Sequence, residues 1–244
     1  MGVLTLRLTG PLQAWGTSSR FTTRGTERWP SKSGIVGLLA ASQGRSRLDP
    51  VDDLAALRTG VRVDVPGHLL REFQTCMTLN GSSLPRIGGS ALATKLSERL
   101  FLADAAFLVA LEGPDEVIWG LDSSLRSPCF PLFLGRRSCP PSVSIPIGVR
   151  TGTIESVLAE HPWIATKALA MGRRNQDLYG PAVTLDTIID DPYGEITIRD
   201  LPISFDPRNR QFAQRRVHLD RVSVHNPWSE PASVIHDPMT ALGG

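Results

Sequence analysis

The sequence predicts an α+β fold, and three observations carry that prediction. Alternating apolar segments of strand length recur through the first half of the chain. Two stretches with helical apolar spacing interrupt them. Their order is strand, helix, strand, strand, helix, strand, the split β-α-β pattern of a ferredoxin-like domain.

Each element has its own signal. Val3 to Leu8 alternates as a buried strand, interrupted by Arg7 and too short for a signal peptide. A long loop follows, then an apolar run from about Ser33 to Gln43 that reads as a helix, with Ser31 or Ser33 placed to cap it. Asp52 to Leu57 reads as a short helical turn. Val61 to Val65 alternates as a strand, and His68 to Cys76 continues it past the Pro66-Gly67 turn. Leu100 to Glu112 is strand-like, Asp115 to Leu125 helical, and Pro131 to Leu134 a short fourth strand.

Between the second and third strands lies an inserted excursion, roughly Thr75 to Arg99. Its centre, Asn80 to Ser90, is rich in Gly, Ser and Pro and too long for an ordinary hairpin turn. From about Ser142 onward prolines recur (Pro146, Pro162, Pro181, Pro192, Pro202, Pro207), with a short helix expected from Ile154 to Ala159 and alternation over Glu195 to Arg199. The division this predicts is a first domain over residues 1–148, carrying the excursion at about 75–99, and a small β-rich domain over residues 149–244.

The chain has 244 residues and a net charge of only +2, but the charge is unevenly spread. Met1 to Arg47 holds seven basic residues against Glu27 alone, while acidic residues gather at Asp49 to Asp53 and Asp186 to Asp191. One basic face on a near-neutral protein implies a polyanion as partner. Cys76, Cys129 and Cys139 are scattered, with no CxxC and no zinc-ligand spacing, so neither a disulfide framework nor a metal is expected. No window approaches a membrane span. A cytoplasmic protein without membrane contact, metal or cofactor is the expectation.

The richest stretch is Pro11 to Ala41. Arg20, Arg24, Arg28 and Lys32 alternate with Trp15, Phe21 and Trp29, and Pro30-Ser31-Lys32-Ser33-Gly34 leads into the helix. Cations and hydroxyls running into a helix N-terminus suit phosphate oxygens, and flat aromatics beside cations suit unpaired bases. A P-loop is excluded: Ser31 stands where glycine must precede the lysine, and the first glycine position holds Thr26. The plain alternative is a surface loop with a capped helix.

A second constellation is Leu134-Gly135-Arg136-Arg137-Ser138-Cys139-Pro140-Pro141. Here a glycine permits close backbone approach, and two planar guanidinium forks suit phosphates or base edges. Its plain alternative is a tight turn with solvated arginines. Arg86, Lys95 and Arg99 decorate the excursion, which suits contact with a neighbouring protein. Arg208, Arg210, Arg215 and Arg216 around Phe212 either extend the basic track or form a solvated strand face. His68, His161, His218, His225 and His236 are dispersed with no nucleophile or carboxylate arranged around them, so no catalytic residue is assigned. A pairing of His68 with Lys32 stays open.

Four blocks together carry a resemblance. GPLQAWG at Gly10 to Gly16, SSRFTTRGTERWPSKSGIVGLLAA at Ser18 to Ala41, ERLFLADAAFLVAL at Glu98 to Leu111 and PLFLGRRSCPP at Pro131 to Pro141 occur in order. The chain is similar to the Cas-five-type subunits of type I-E CRISPR Cascade complexes, in the RAMP superfamily. The resemblance implies an RRM- or RAMP-type ferredoxin-like domain with a β-hairpin thumb and a small C-terminal β domain. It implies binding of the 5′ handle of the CRISPR RNA (crRNA) and capping of the crRNA-bound backbone for antiviral DNA interference. The implied partners are the crRNA handle, the backbone subunit, the large subunit and, indirectly, target DNA. The residues implied at the handle are Trp15, Ser18, Arg20, Arg24, Lys32, Ser33, Gly135, Arg136 and Arg137, with the thumb over Thr75 to Arg99. A type I-C relative in the same group cuts the CRISPR repeat as a metal-independent endoribonuclease through Tyr, Lys and His. The first tyrosine here is Tyr179, which places the non-catalytic role first.

Overall fold

The computed structural model describes residues 2–17, 23–77, 94–165 and 180–229, without the side chains at 76, 77, 94 and 95. The chain runs β1 (Gly2–Thr9), β2 (Leu12–Gln13), β3 (Thr23–Arg24), α1 (Lys32–Ser42), α2 (Asp52–Ala55), β4 (Arg58–Val65), β5 (His68–Met77), β6 (Thr94–Ala103), β7 (Ala106–Gly113) and α3 (Asp115–Arg126). It continues as β8 (Pro146–Thr151), α4 (Ile154–Glu160), β9 (Ala182–Asp190), β10 (Ile196–Ser204) and β11 (Gln211–His225).

Seven strands form one antiparallel sheet in the order β10-β11-β9-β4-β7-β1-β8. Strand alternation sorts their side chains to two faces. Leu4, Leu6 and Leu8 of β1, Val61 and Val63 of β4, and Phe107, Val109 and Leu111 of β7 face one layer. That layer is α1, through Ile35, Leu38 and Leu39, and α3, through Ile118, Leu121 and Leu125. Val3, Leu108, Ala110 and Ile189 face the other way and are covered by Ile154, Val157 and Leu158 of α4. Thr153 and Ser156 cap α4 reciprocally, as its Thr-x-x-Ser start allows.

The second face also buries a complete ion pair. Arg62 and Asp64 of β4 are both fully buried and meet at 2.8 Å on both sides of the guanidinium. The other Arg62 hydrogens are donated to the carbonyls of Leu158, His161 and Pro162. Asp64 in turn accepts from the Ile164 backbone N–H and, at its carbonyl, from the Trp163 indole. A buried charge so fully bonded ties the segment after α4 to the sheet.

A second, smaller sheet carries β2, β3 and β5 around β6. The β5–β6 pairing runs in register from His68↔Ala103 to Met77↔Thr94, so a hairpin begins well before the expected excursion. The segment joining its strands, including Arg86, lies outside the described residues.

Several expectations are corrected. Leu100 to Glu112 is two strands, because Asp104 adopts a positive φ of 55° and its N–H turns to the Pro11 carbonyl. Pro131 to Leu134 is not a strand: Leu134 is pinned in a turn, donating to Cys139 O and accepting from Ala14 N. The strand that completes the first six elements is β8, whose six residues pair with β1. The expected division at residue 148 therefore falls inside a paired strand, and β9 extends the same sheet directly from β4.

Candidate nucleic-acid interface

The signature blocks meet around Gln13 and Trp15. Gln13 is fully buried and donates to the Leu8 and Ala105 carbonyls, while its own Oε1 accepts from the Trp15 indole at 3.1 Å. Trp15 N–H donates to Thr26 Oγ1, and Trp15 O accepts from Glu27 N, which fastens the long loop back on itself. The Trp15 ring is 1% exposed and lies against α1: a Cβ on Gly34 would come within 2.7 Å of it. Trp15, expected as a stacking platform for bases, is instead a core residue that seats the loop on the helix.

Gly135 has a structural reason of its own. Its φ of +87° and a hypothetical Cβ only 1.8 Å from Ala14 O show what the glycine is for. It lets the chain's own backbone approach, joining the Leu134–Pro141 turn to the Gln13–Trp15 segment.

Lys32 and Ser33 are corrected as well. The helix N-terminus does hold an anion, but an internal one. Ser31 caps α1, and the Lys32 N–H donates to Asp200 Oδ2 at 2.7 Å. Lys32 Nζ is buried, bonded to Leu57 O at 2.8 Å and to Asp190 at 2.7 Å. Arg215 bridges Asp190 and Asp200 from β11. Burial alone would lower the Arg215 guanidinium; the two carboxylates reverse this and raise it. Ser33 is buried too. Two cations and two carboxylates thus neutralise one another at this end of α1. Lys32 is also committed away from His68, which stands exposed on β5, so their pairing is not formed.

What remains is an arginine cluster built from three elements. β3 runs parallel to β6, with Thr23 opposite Glu98 and Arg24 opposite Arg99. Arg136 reaches across from the Leu134–Pro141 turn. It donates to the carbonyls of Leu100, Arg24 and Gly25 at 2.9 to 3.0 Å, and its guanidinium lies 4.8 Å from the centre of the Phe101 ring. Burial lowers the Arg136 guanidinium from its ordinary value, with the charges of Arg99 and Arg24 adding to the shift and Cys139 and Glu72, the latter opposite Arg99 on β5, opposing it. Arg24 and Arg137 are exposed. The Nε of Arg99 is buried without a hydrogen-bond partner. Among the described residues none of these four arginines has a carboxylate in ion-pair contact.

Sequence reasoning placed Arg99 with a partner surface, whereas β6 carries it to the side of Arg24 and Arg136. Its alternation with Phe101 along one strand face was the available signal. It missed Gln13, Thr26 and Phe101 as the scaffold, and Asp190 and Asp200 as the internal anions. Lys95 lies on β6; Ser18 and Arg20 lie outside the described residues. Among the described residues no group of three or more His, Cys, Asp or Glu is placed to hold a metal, and no helix is long and apolar enough to cross a membrane.

Comparison with known proteins identifies the family. A family model described as CRISPR-associated protein (Cas_Cas5) matches residues 3–218. The CRISPR system Cascade subunit CasD of Escherichia coli (strain K12) is 33% identical over 233 residues, covering 88% of this chain and 94% of that protein. A chain of a solved CRISPR RNA-guided surveillance complex superposes with a TM-score of 0.78 at 31% identity, over 95% of both chains. A second solved Cas protein gives 0.68 at 36% identity, over 90% of this chain and 94% of that one. With a family model spanning most of its length and a curated relative of nearly equal extent, the chain belongs to the Cas5 family of CRISPR-associated proteins.

Proposed function

We propose that this protein binds the 5′ handle of crRNA, without cutting it, and caps one end of the crRNA-bound Cascade backbone in the cytoplasm. The observation that carries this reading is the arginine set Arg24, Arg99, Arg136 and Arg137. It brings like charges together with no carboxylate in ion-pair contact among the described residues and leaves a buried guanidinium nitrogen unbonded. Such an arrangement favours a polyanion entering it. Within the set, Arg136 positions the loop by holding the Arg24 and Gly25 carbonyls, and Arg24, Arg99 and Arg137 are left to grip phosphates. Ser18 and Arg20, on the same loop, join them in this reading.

In this reading the β8-β1-β7-β4 part of the sheet with α1 and α3 is a ferredoxin-like unit. The β5–β6 hairpin is its thumb, Arg86 and Lys95 keep the partner role that the family resemblance implies, and β9–β11 belong to a small C-terminal lobe. The thumb has two unlike faces. Arg99 and Phe101 alternate on one, while Leu69, Phe73 and Leu96 stand 56–60% exposed on the other. Arg71 lies over the Phe73 ring on that same face and pairs with Glu98, so the face mixes exposed apolar side chains with an ion pair, a composition that suits the backbone and large subunits of Cascade, through which target DNA is reached.

Incubation of the purified chain with a CRISPR repeat RNA and with mature crRNA, in the presence of chelator, tests the proposal. Salt-sensitive binding of the handle with intact RNA is expected. Product bands from the repeat, lost on His68→Ala, would assign the type I-C kind of ribonuclease activity instead.

A further inference from the structure

We propose that the outward face of the β10–β11 hairpin is a second, sequence-independent nucleic-acid contact, gripping the sugar-phosphate backbone through Arg199, Arg208, Arg210 and Arg216. The inference does not depend on handle binding, because it rests on different elements.

The hairpin register separates its arginines into two kinds. Thr197 stands opposite Arg216 and Ile198 opposite Arg215. Alternation then turns Arg215 inward, where Asp190 and Asp200 neutralise it, and Arg216 outward. Arg221, further along β11, is paired with Asp186. Arg199, Arg208, Arg210 and Arg216 are all exposed, and among the described residues none has a carboxylate in ion-pair contact. Asp206, in the turn between the strands, spends Oδ1 on the Arg208 backbone N–H. The same short hairpin therefore neutralises the arginines the fold needs and leaves four others unneutralised.

Their placement suits a polymer of phosphates. Arg199 and Arg216 share the outer strand face with exposed Thr197 and Gln214, and Arg208 and Arg210 occupy the turn. From Arg216 to the start of β11 the strand covers about 17 Å, a reach of about five phosphates along one strand of a duplex. Hydroxyl and amide groups between cations match the mix of contacts that nucleic-acid backbones receive. Thr197 and Gln214 stand beside Arg199 and Arg216, and a single exposed aliphatic side chain on β10, Ile203, lies nearer the turn, where a protein interface would set several aromatic or aliphatic anchors.

The test measures affinity against salt for the full chain, using a short duplex DNA of arbitrary sequence and a single-stranded RNA lacking any CRISPR repeat. The variants are Arg199→Gln/Arg208→Gln/Arg210→Gln/Arg216→Gln and a triple variant that keeps Arg199, whose Nε is bonded to Phe212 O. The triple variant should flatten the log–log salt slope by about 2.7 on duplex DNA, at about 0.9 per contact, and by about 2.1 on RNA at about 0.7 per contact. The loss should be alike for unrelated sequences, and the corresponding lysine variants should retain most of the binding. Loss on one probe only identifies that nucleic acid as the ligand. Affinity and slope unchanged on both probes overturn the proposal, and do so in favour of an acidic protein partner if assembly with other Cascade subunits then fails.

Discussion

Lys32 and Arg24 belong to one cationic loop, yet their surroundings give them opposite roles. Lys32 is enclosed with Asp190, Asp200 and Arg215, so Lys32→Ala takes one cation from the part-buried Asp190 carboxylate and leaves the buried Leu57 carbonyl without that donor, and should destabilise the fold by about 2 kcal/mol in chemical denaturation. Arg24 is exposed, so Arg24→Ala should leave the denaturation midpoint almost unmoved. It should instead weaken all handle sequences alike and reduce the salt slope for RNA by about 0.7. Equal stability losses in the two variants would contradict this division. His161 supplies a pH dependence. Burial lowers its folded pKa, as do Arg62 and Arg150, while the Pro162 carbonyl and Asp64 oppose them. A carbonyl only accepts, so Nδ1 at 2.8 Å from Pro162 O carries the hydrogen of a neutral ring. The unfolded histidine takes up its proton near pH 6.5 and the folded one does so lower, so stability present above that pH is lost as pH falls through this range. The denaturation midpoint should drop between pH 7.5 and 5.5, and His161→Asn should shrink the drop. At this scale the sequence shows residue types but not their partners: Lys32 and Asp190 are far apart in the chain, and no local pattern joins them.

Elements were more legible than side chains, for a physical reason. α1, β4, β5 and α3 end within three residues of where the sequence places them, because the continuous apolar run of the all-round buried α1, the alternation of β4 and the one-sided apolar spacing of α3 are all written locally. The failures come where long-range bonds override local preference. Leu134 is held in a turn by Ala14 and Cys139, and the apolar run from Leu100 is broken by Asp104 at its bond to Pro11. β8, with Pro146 at its start and Gly148 inside, has a weak signature and owes its form to β1 alongside it. The β5–β6 hairpin yields the prediction proper to this scale. Leu69, Phe73 and Leu96 stand exposed on one face beside the Arg71–Glu98 pair and contribute little to the core. Leu69→Ser/Phe73→Ser/Leu96→Ser should leave the melting temperature within about 2 °C of wild type and RNA binding by the lone chain intact. Co-purification with the other Cascade subunits and crRNA should fail. Normal recovery would show that this face is not used in assembly.

At the scale of the whole molecule, the sheet binds together what composition seemed to divide. The shift toward proline after Ser142 is real, but prolines at strand starts, in turns and, for Pro202, at an irregular stretch of the edge strand β10 do not interrupt a ladder built by neighbours. β9 pairs with β4 through Gly60, Val61 and Arg62, β8 pairs with β1, and Asp190, Asp200 and Arg215 close over the N-terminus of α1. α4 covers the opposite face of the same strands. A fragment ending at residue 148 would therefore lose half of β8, all of α4 and every partner of the Arg62–Asp64 pair beyond β4. It would also lose the carboxylates that neutralise Lys32. It should be unfolded or molten, with weak near-ultraviolet circular dichroism and no cooperative melt. The full chain should unfold in one transition shared by probes in both halves, with Trp15 fluorescence and hydrogen exchange of β10 and β11 following the same midpoint. A fragment that folds cooperatively and still binds handle RNA would show that the lobe bearing β9 to β11 is independent, its contacts with β4 and α1 then being a docking of two stable parts.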